Sequence, residues 1–359
     1  MANLFDYLLW RGDLPFSAAA FNEVDGMILA RFAYADLENA EPLRCGEATL
    51  GAVAQALAEK RTQETDDTAL LRALANSERF RGLRLCDYEN RFDAETQTQF
   101  SAITVRLTQA LSYLAFRGTD TTLVGWKESF NMAFLCPVPS QRAAADYLAR
   151  AAEKPGRFLL GGHSKGGNLA VYAAAVCPPE VRERIEAVYN YDGPGFEASV
   201  LQSEGYRAIV PRVHTFVPQS SIVGMLLEHE ENITVVRSTQ TNGIQQHDVC
   251  SWEVLPRGFL CAEERTSSSR FIDATVSTWL DGIDHAQRKR VIDTVYAALE
   301  QTHAQTLQEL GENRFAALKA VLRAARHFDD ETKNAVTQTL RLLMRSVQKE
   351  LPTLRRKNS

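Results

Sequence analysis

The apolar run Phe158-Leu159-Leu160 stops abruptly at Gly161-Gly162. A lone serine, Ser164, follows before Gly166-Gly167 and an alanine-rich stretch from Leu169 to Val176. No other stretch constrains the fold as much. A buried strand must end in a sharp turn and continue at once as a helix, the arrangement of a G-x-S-x-G nucleophile elbow. Gly162 and Gly166 are required because side chains there would collide with the turn's own strand and helix. The serine hydroxyl is then presented at a helix N-terminus, where backbone N–H groups can stabilise an oxyanion. A glycine-rich turn with an incidental serine is the bland alternative. The strand on one side and the helix on the other favour the elbow.

The rest of the chain supplies a sheet for that strand. Phe100, Ile103, Val105 and Leu107 are apolar and β-prone, Thr108-Gln109-Ala110 is a turn, and Ser112 to Phe116 is a buried strand, together an antiparallel hairpin. A helix over Arg142 to Ala152, the elbow, and strands at Ile185 to Tyr191, Arg212 to Val217 and Ile233 to Val236 follow. The pattern predicts an α/β fold: a mostly parallel sheet with helices on both faces and right-handed connections. Residues 1–95 read as a helical N-terminal segment packed on the core, with helical spacing at Ser17 to Phe21, Leu50 to Glu59 and Asp66 to Ala75. Residues 96–266 form the core. Residues 267–359 read as a C-terminal helical subdomain, a small bundle built from Phe271, Val276 and Trp279-Leu280, then Val291 to Leu299, Phe315 to Ala325 and Thr332 to Val347.

An activated serine needs a base, an acid to orient the base, and an oxyanion hole. With Ser164 as nucleophile, the base is expected after the last core strand. His247 qualifies, in the polar loop Gln245-Gln246-His247-Asp248. His214 lies inside a strand pattern and His229 in an acidic helical segment. His285, His303 and His327 fall on C-terminal helices, where surface histidines are common. His163 precedes the nucleophile and reads as elbow packing or a wall of the site. Lys165 supplies the first oxyanion N–H. Thr119, in the loop that ends the hairpin strand, supplies the second, with its hydroxyl as a further donor. Arg117 beside it reads as a structural ion pair.

The pair Ala115-Phe116-Arg117-Gly118-Thr119-Asp120 and Gly162-His163-Ser164-Lys165-Gly166-Gly167 resembles the class 3 lipases, with their F-R-G-[ST] oxyanion loop and G-H-S-x-G-G elbow. Val124-Gly125-Trp126-Lys127-Glu128 is similar to the aromatic helix that follows that loop. With Asp192-Gly193-Pro194-Gly195-Phe196 and the stretch Val217 to Gly224, the whole chain resembles an uncharacterised bacterial branch of lipase-like proteins. The class 3 resemblance covers about Phe100 to Trp252. It implies an α/β-hydrolase fold, hydrolysis of esters such as acylglycerols or phospholipids through an acyl-enzyme, and no metal or cofactor.

One departure matters. Class 3 lipases place the acid after the strand that here is Arg212 to Val217, where this chain has Ser220-Ser221-Ile222-Val223 and no carboxylate. Asp192, ending the preceding strand, is the expected replacement, because both strand ends lie on the same edge of a parallel sheet. A plain turn role before Gly193-Pro194 is the alternative for Asp192. Asp248 is too close in sequence to His247 to orient it, and Glu228 and Glu230 are weaker candidates. Met225 and Leu226 are expected to line an acyl pocket or simply to be core. Three alternatives stay open: a degenerate hydrolase fold kept for binding, a thioesterase, and a peptidase on the same triad.

Composition narrows the partners. The formal net charge of −5 gives no sign of nucleic-acid binding. Cys45, Cys86, Cys136, Cys177, Cys250 and Cys261 are scattered without zinc spacing and read as thiols in a reducing cytoplasm. No apolar run approaches the ~20 residues of a spanning helix. The expected partner is a small-molecule or lipid ester.

Overall fold

The computed structural model describes residues 1–93, 95–96, 98–119, 127–129, 131–132, 135–241, 243–267, 269–270 and 284–300. Eight strands form one sheet in sequence order: β1 (Ala48–Thr49), β2 (Arg84–Asp93), β3 (Thr98–Arg106), β4 (Leu111–Phe116), β5 (Arg157–His163), β6 (Ile185–Tyr191), β7 (Val213–Pro218) and β8 (Ile233–Val236). The pairings from β1 to β4 are antiparallel and those from β4 to β8 parallel. The expected α/β architecture and the β3–β4 hairpin are both present.

Alternation along the central strands explains the layers. Tyr113 and Ala115 on β4, Leu159 on β5, and Ala187 and Tyr191 on β6 belong to one buried cluster. Leu114, Phe116, Phe158, Leu160 and Val188 belong to another on the opposite face. A sheet apolar on both faces must be covered on both. The second face is covered by the crossover helices, including Pro139–Ala152 and Lys165–Val176. The first is covered by the N-terminal helices α1 (Leu4–Arg11), α2 (Glu23–Phe32), α3 (Leu50–Glu59) and α4 (Asp66–Asn76).

The helices at Leu50–Glu59 and Asp66–Asn76 agree with their spacing. Three local readings are corrected. Ser17 to Phe21 is turn and coil, its way into a helix blocked by Pro15 and the cap that Asn22 makes for α2. His229 lies in extended chain, where Phe196 and Glu228 form an antiparallel bridge. Arg84–Asp93, within the stretch read as mostly helical, is strand β2. Its outer half is exposed and a bulge at Cys86 to Glu89 breaks its alternation, so no period-two signal survives.

Helix His285–Glu300 covers the expected Val291 to Leu299 segment. Phe271, Val276, Trp279-Leu280, Phe315 to Ala325, Thr332 to Val347, His303 and His327 lie outside the described residues. Among the described residues no helix is long and apolar enough to cross a membrane, and Cys86, Cys136, Cys177, Cys250 and Cys261 are free thiols.

Candidate active site

β5 delivers Ser164 into the turn at φ 57° and ψ −133°, as the N-cap of helix Lys165–Val176. A non-glycine residue at positive φ is strained and persists only where its surroundings enforce it. Here the Ser164 N–H donates to the Tyr191 carbonyl at 2.8 Å, and Gly167 N–H donates to the Ser164 carbonyl at 2.9 Å. A Cβ on Gly162 would lie 2.4 Å from the Gly166 carbonyl carbon, and one on Gly166 would lie 2.1 Å from the Phe116 carbonyl oxygen. The glycines let strand, helix and the end of β4 close around the serine.

Asp192 ends β6 at φ 52° and is fully buried. Its Oδ2 accepts from His247 Nδ1 at 2.6 Å, and its Oδ1 accepts from Ser221 Oγ at 2.5 Å. A carboxylate only accepts, so the imidazole proton sits on Nδ1 and Nε2 is the accepting nitrogen. Ser221, where the resemblance would put the acid, is a donor to Asp192 instead.

His247 follows the short helix Gly243–Gln246. The buried Gln246 anchors that turn: its Oε1 accepts from Ser220 N–H at 2.7 Å, its Nε2 donates to the Gln240 carbonyl at 2.8 Å, and its own carbonyl accepts from Trp252 Nε1 at 2.8 Å. His163 donates from Nε2 to the His247 carbonyl at 2.8 Å, and its ring lies 4.5 Å from the His247 ring. Because a carbonyl only accepts, His163 Nδ1 is left to accept, and Tyr34 Oη is 3.1 Å from it. Burial pushes the His163 pKa well below the ordinary value, and the neighbouring His247 adds to this. A neutral His163 thus holds the backbone of His247, a role its sequence position did not disclose.

The loop after β4 approaches the serine closely. A Cβ on Gly118 would lie 3.2 Å from Ser164 Cβ and 2.4 Å from the His163 carbonyl oxygen. Thr119 Oγ1 is 2.5 Å from Ser129 Oγ. The Lys165 side chain turns inward and is 1% exposed, with Nζ donating to Glu128 Oε2 and to the Gln99 carbonyl, both at 2.7 Å.

Other sequence candidates lie elsewhere. His214 stacks on Tyr189. His229 pairs through Nδ1 with the buried Glu231 at 2.8 Å. Asp248 caps the turn at Cys250. The Leu226 carbonyl accepts from Gly195 N–H. Met225 lines a cavity of about 510 Å³ with Ile233, Val235, Glu264, Arg265 and Arg270, and none of Ser164, Asp192 and His247 lines it. Tyr34, Gln246 and Glu128 were not found from sequence. Gln246 lies in the polar loop of His247 and Glu128 in the stretch after the oxyanion loop, but neither carries a local sequence signal of its contacts.

The structure thus brings together a serine strained at a strand–helix turn, an aspartate at the end of the neighbouring strand, and a histidine paired with that aspartate after the Gly243–Gln246 helix. Over residues 74–297 the chain matches the Mbeg1-like family, a lipase-like family, and it belongs to that family. No curated protein matches it.

Proposed function

We propose that the chain is a serine hydrolase of α/β-hydrolase type that cleaves carboxylic esters through an acyl-enzyme. The carrying observation is the 2.6 Å contact between His247 Nδ1 and Asp192, two residues 55 positions apart, at the edge of the sheet where Ser164 is strained. Ser164 Oγ attacks the ester carbonyl carbon as His247 Nε2 takes its proton. Asp192 orients the imidazole and stabilises its charged form. The backbone N–H groups of Lys165 and Thr119 hold the oxyanion. His247 then returns the proton to the leaving alkoxide. Water, activated by the same nitrogen, releases the acid and restores Ser164.

A hydrolase fold kept only for binding drew its support from the missing acid at Ser221. The Asp192–His247 contact supports the enzyme reading over it, because it offers a carboxylate to the histidine from another strand end. Lipase, phospholipase, thioesterase and peptidase substrates would share this machinery. Met225 and Leu226 are the expected acyl-side residues, and the free thiols fit a cytoplasmic setting. The test is labelling with a fluorophosphonate, followed by turnover of p-nitrophenyl esters of graded chain length. Wild-type protein should label at Ser164. Ser164→Ala should fold, lose the label and lose activity by several orders of magnitude. Label retained in that variant would overturn the assignment.

A further inference from the structure

Lys165 is an unexpected residue to bury. It directly follows the proposed nucleophile, and its backbone N–H is the first proposed oxyanion donor. Its ammonium nevertheless lies inside the protein, against a Glu128 side chain that is 0% exposed. Burying two charges is expensive, and a well-packed apolar pair of similar volume is often as stable or more so. The pair therefore invites an explanation in geometry and not in stability.

Glu128 joins the separate pieces of chain around the elbow. Its Oε1 accepts from Ser140 N–H at 2.9 Å, at the start of helix Pro139–Ala152. Its Oε2 accepts from Gln99 N–H at 3.1 Å, at the start of β3, and from Lys165 Nζ. The Lys165 ammonium donates back to the Gln99 carbonyl, which closes a ring of contacts. The next residue, Ser129, makes the hydroxyl contact to Thr119, the second proposed oxyanion donor. A continuous chain therefore runs from the elbow through Lys165, Glu128 and Ser129 to Thr119.

We propose that the Lys165–Glu128 ion pair is a positioning device that fixes the separation of the two oxyanion donors, Lys165 N–H and Thr119 N–H. The inference rests on the serine-hydrolase reading for what those donors do, but not for whether the pair tethers the loop. Oxyanion stabilisation depends on donors fixed in advance at the position where charge develops. A donor that drifts by about an ångström loses much of its effect. A directional, fully buried pair tied to backbone groups of two further elements holds such a distance better than an apolar contact, which slides.

Removing one charge would strand the other, so the test uses the neutral double variant Lys165→Met with Glu128→Gln. It should fold with a lowered melting temperature, because the amide can accept from only one of the Ser140 and Gln99 N–H groups that the carboxylate serves. Its kcat for a p-nitrophenyl ester should fall roughly 10- to 100-fold, with KM changed less than about threefold, because the donors act mainly on the transition state. Amide exchange at Gly118 and Thr119, followed by NMR, should accelerate at least about tenfold. Ser129→Ala cuts the same chain without touching the charges and should lower kcat in the same sense, which keeps the test usable if the double variant does not fold. Unchanged amide exchange, or unchanged kcat in both proteins, would overturn the proposal. If wild-type protein neither labels at Ser164 nor turns over esters, the hydrolase reading fails alone, and the exchange measurement still decides the tether.

Discussion

Asp192 turns at a left-handed backbone conformation that aspartate tolerates better than most residues, and its amide donates to the Phe216 carbonyl on β7 at 2.8 Å. The carboxylate is thereby fixed between two partners from different elements, Ser221 after β7 and His247 after the Gly243–Gln246 helix. The roles of the two partners are unequal. Asp192→Asn presents an amide to His247 and favours the wrong tautomer, so kcat should fall by roughly four orders of magnitude with the fold intact. Ser221→Ala removes one hydrogen bond to a carboxylate that keeps its imidazole, a loss of roughly tenfold. Steady-state kinetics on both variants decides the point. A large loss for Ser221→Ala beside a small one for Asp192→Asn would move the acid function off Asp192. Comparable small losses would leave a Ser–His dyad.

At the scale of elements, the N-terminal helices are the cover of one sheet face. Tyr113 Oη donates to the Gly26 carbonyl at 2.9 Å, and Tyr191 Oη donates to the Glu23 carbonyl at 2.6 Å, so two sheet tyrosines grip α2. Asp25 on α2 pairs with Arg79 at 2.6 Å with both side chains 0% exposed, and Tyr7 Oη from α1 donates to the same carboxylate at 2.9 Å. Arg79 also donates to the carbonyls of Leu14, Ala19 and Ala20. Asp25→Ala should therefore destabilise the protein by about 3–5 kcal/mol in urea denaturation, because it leaves a buried guanidinium uncompensated. A loss below about 1 kcal/mol would mean that the helices dock by apolar contact alone. Little of this docking was legible in the sequence, whereas the elbow and strands β5 to β8 were. Those elements announce themselves locally, through an apolar run, a glycine pair or a helix period. The place of Asp192 on the same sheet edge as Ser164 was legible through topology, since neighbouring parallel strands end on one edge. Tyr34 meets His163 across 129 positions and Lys165 meets Glu128 across 37, and no local period encodes such contacts. Strand β2 was missed because its outer half is exposed and bulged.

At the scale of the whole molecule, two buried groups among the described residues, His163 and Glu231, bear on the response to acid in the same direction, and the lowered pKa of His214, caused first by partial burial, adds to the effect of His163. His163 is held neutral first by burial and then by the neighbouring His247, well below the ordinary histidine value of 6.5. The unfolded chain takes up a proton there near pH 6.5 while the folded protein does not. The stability His163 contributes is thus complete above that pH and is lost as pH falls toward its lower folded value. Glu231 follows the carboxylate version of the rule. Burial alone would raise its pKa, but the hydrogen bonds from His229, Thr215 and Tyr206 hold it down to about 2, against an ordinary 4.5. Its contribution is complete above about pH 4.5 and is lost between there and about pH 2. Acid unfolding should therefore begin below about pH 6.5 and steepen below about pH 4.5. Urea midpoints measured every half pH unit should show both windows. His163→Gln should flatten the first and leave the second, and Glu231→Gln should do the reverse. His163 holds the backbone of His247, so the first window also bears on the site: loosening there should lower kcat before the sheet unfolds. A wild-type midpoint that stayed level from pH 7 to 5 and then fell in one step would show that His163 takes up its proton without opening the fold.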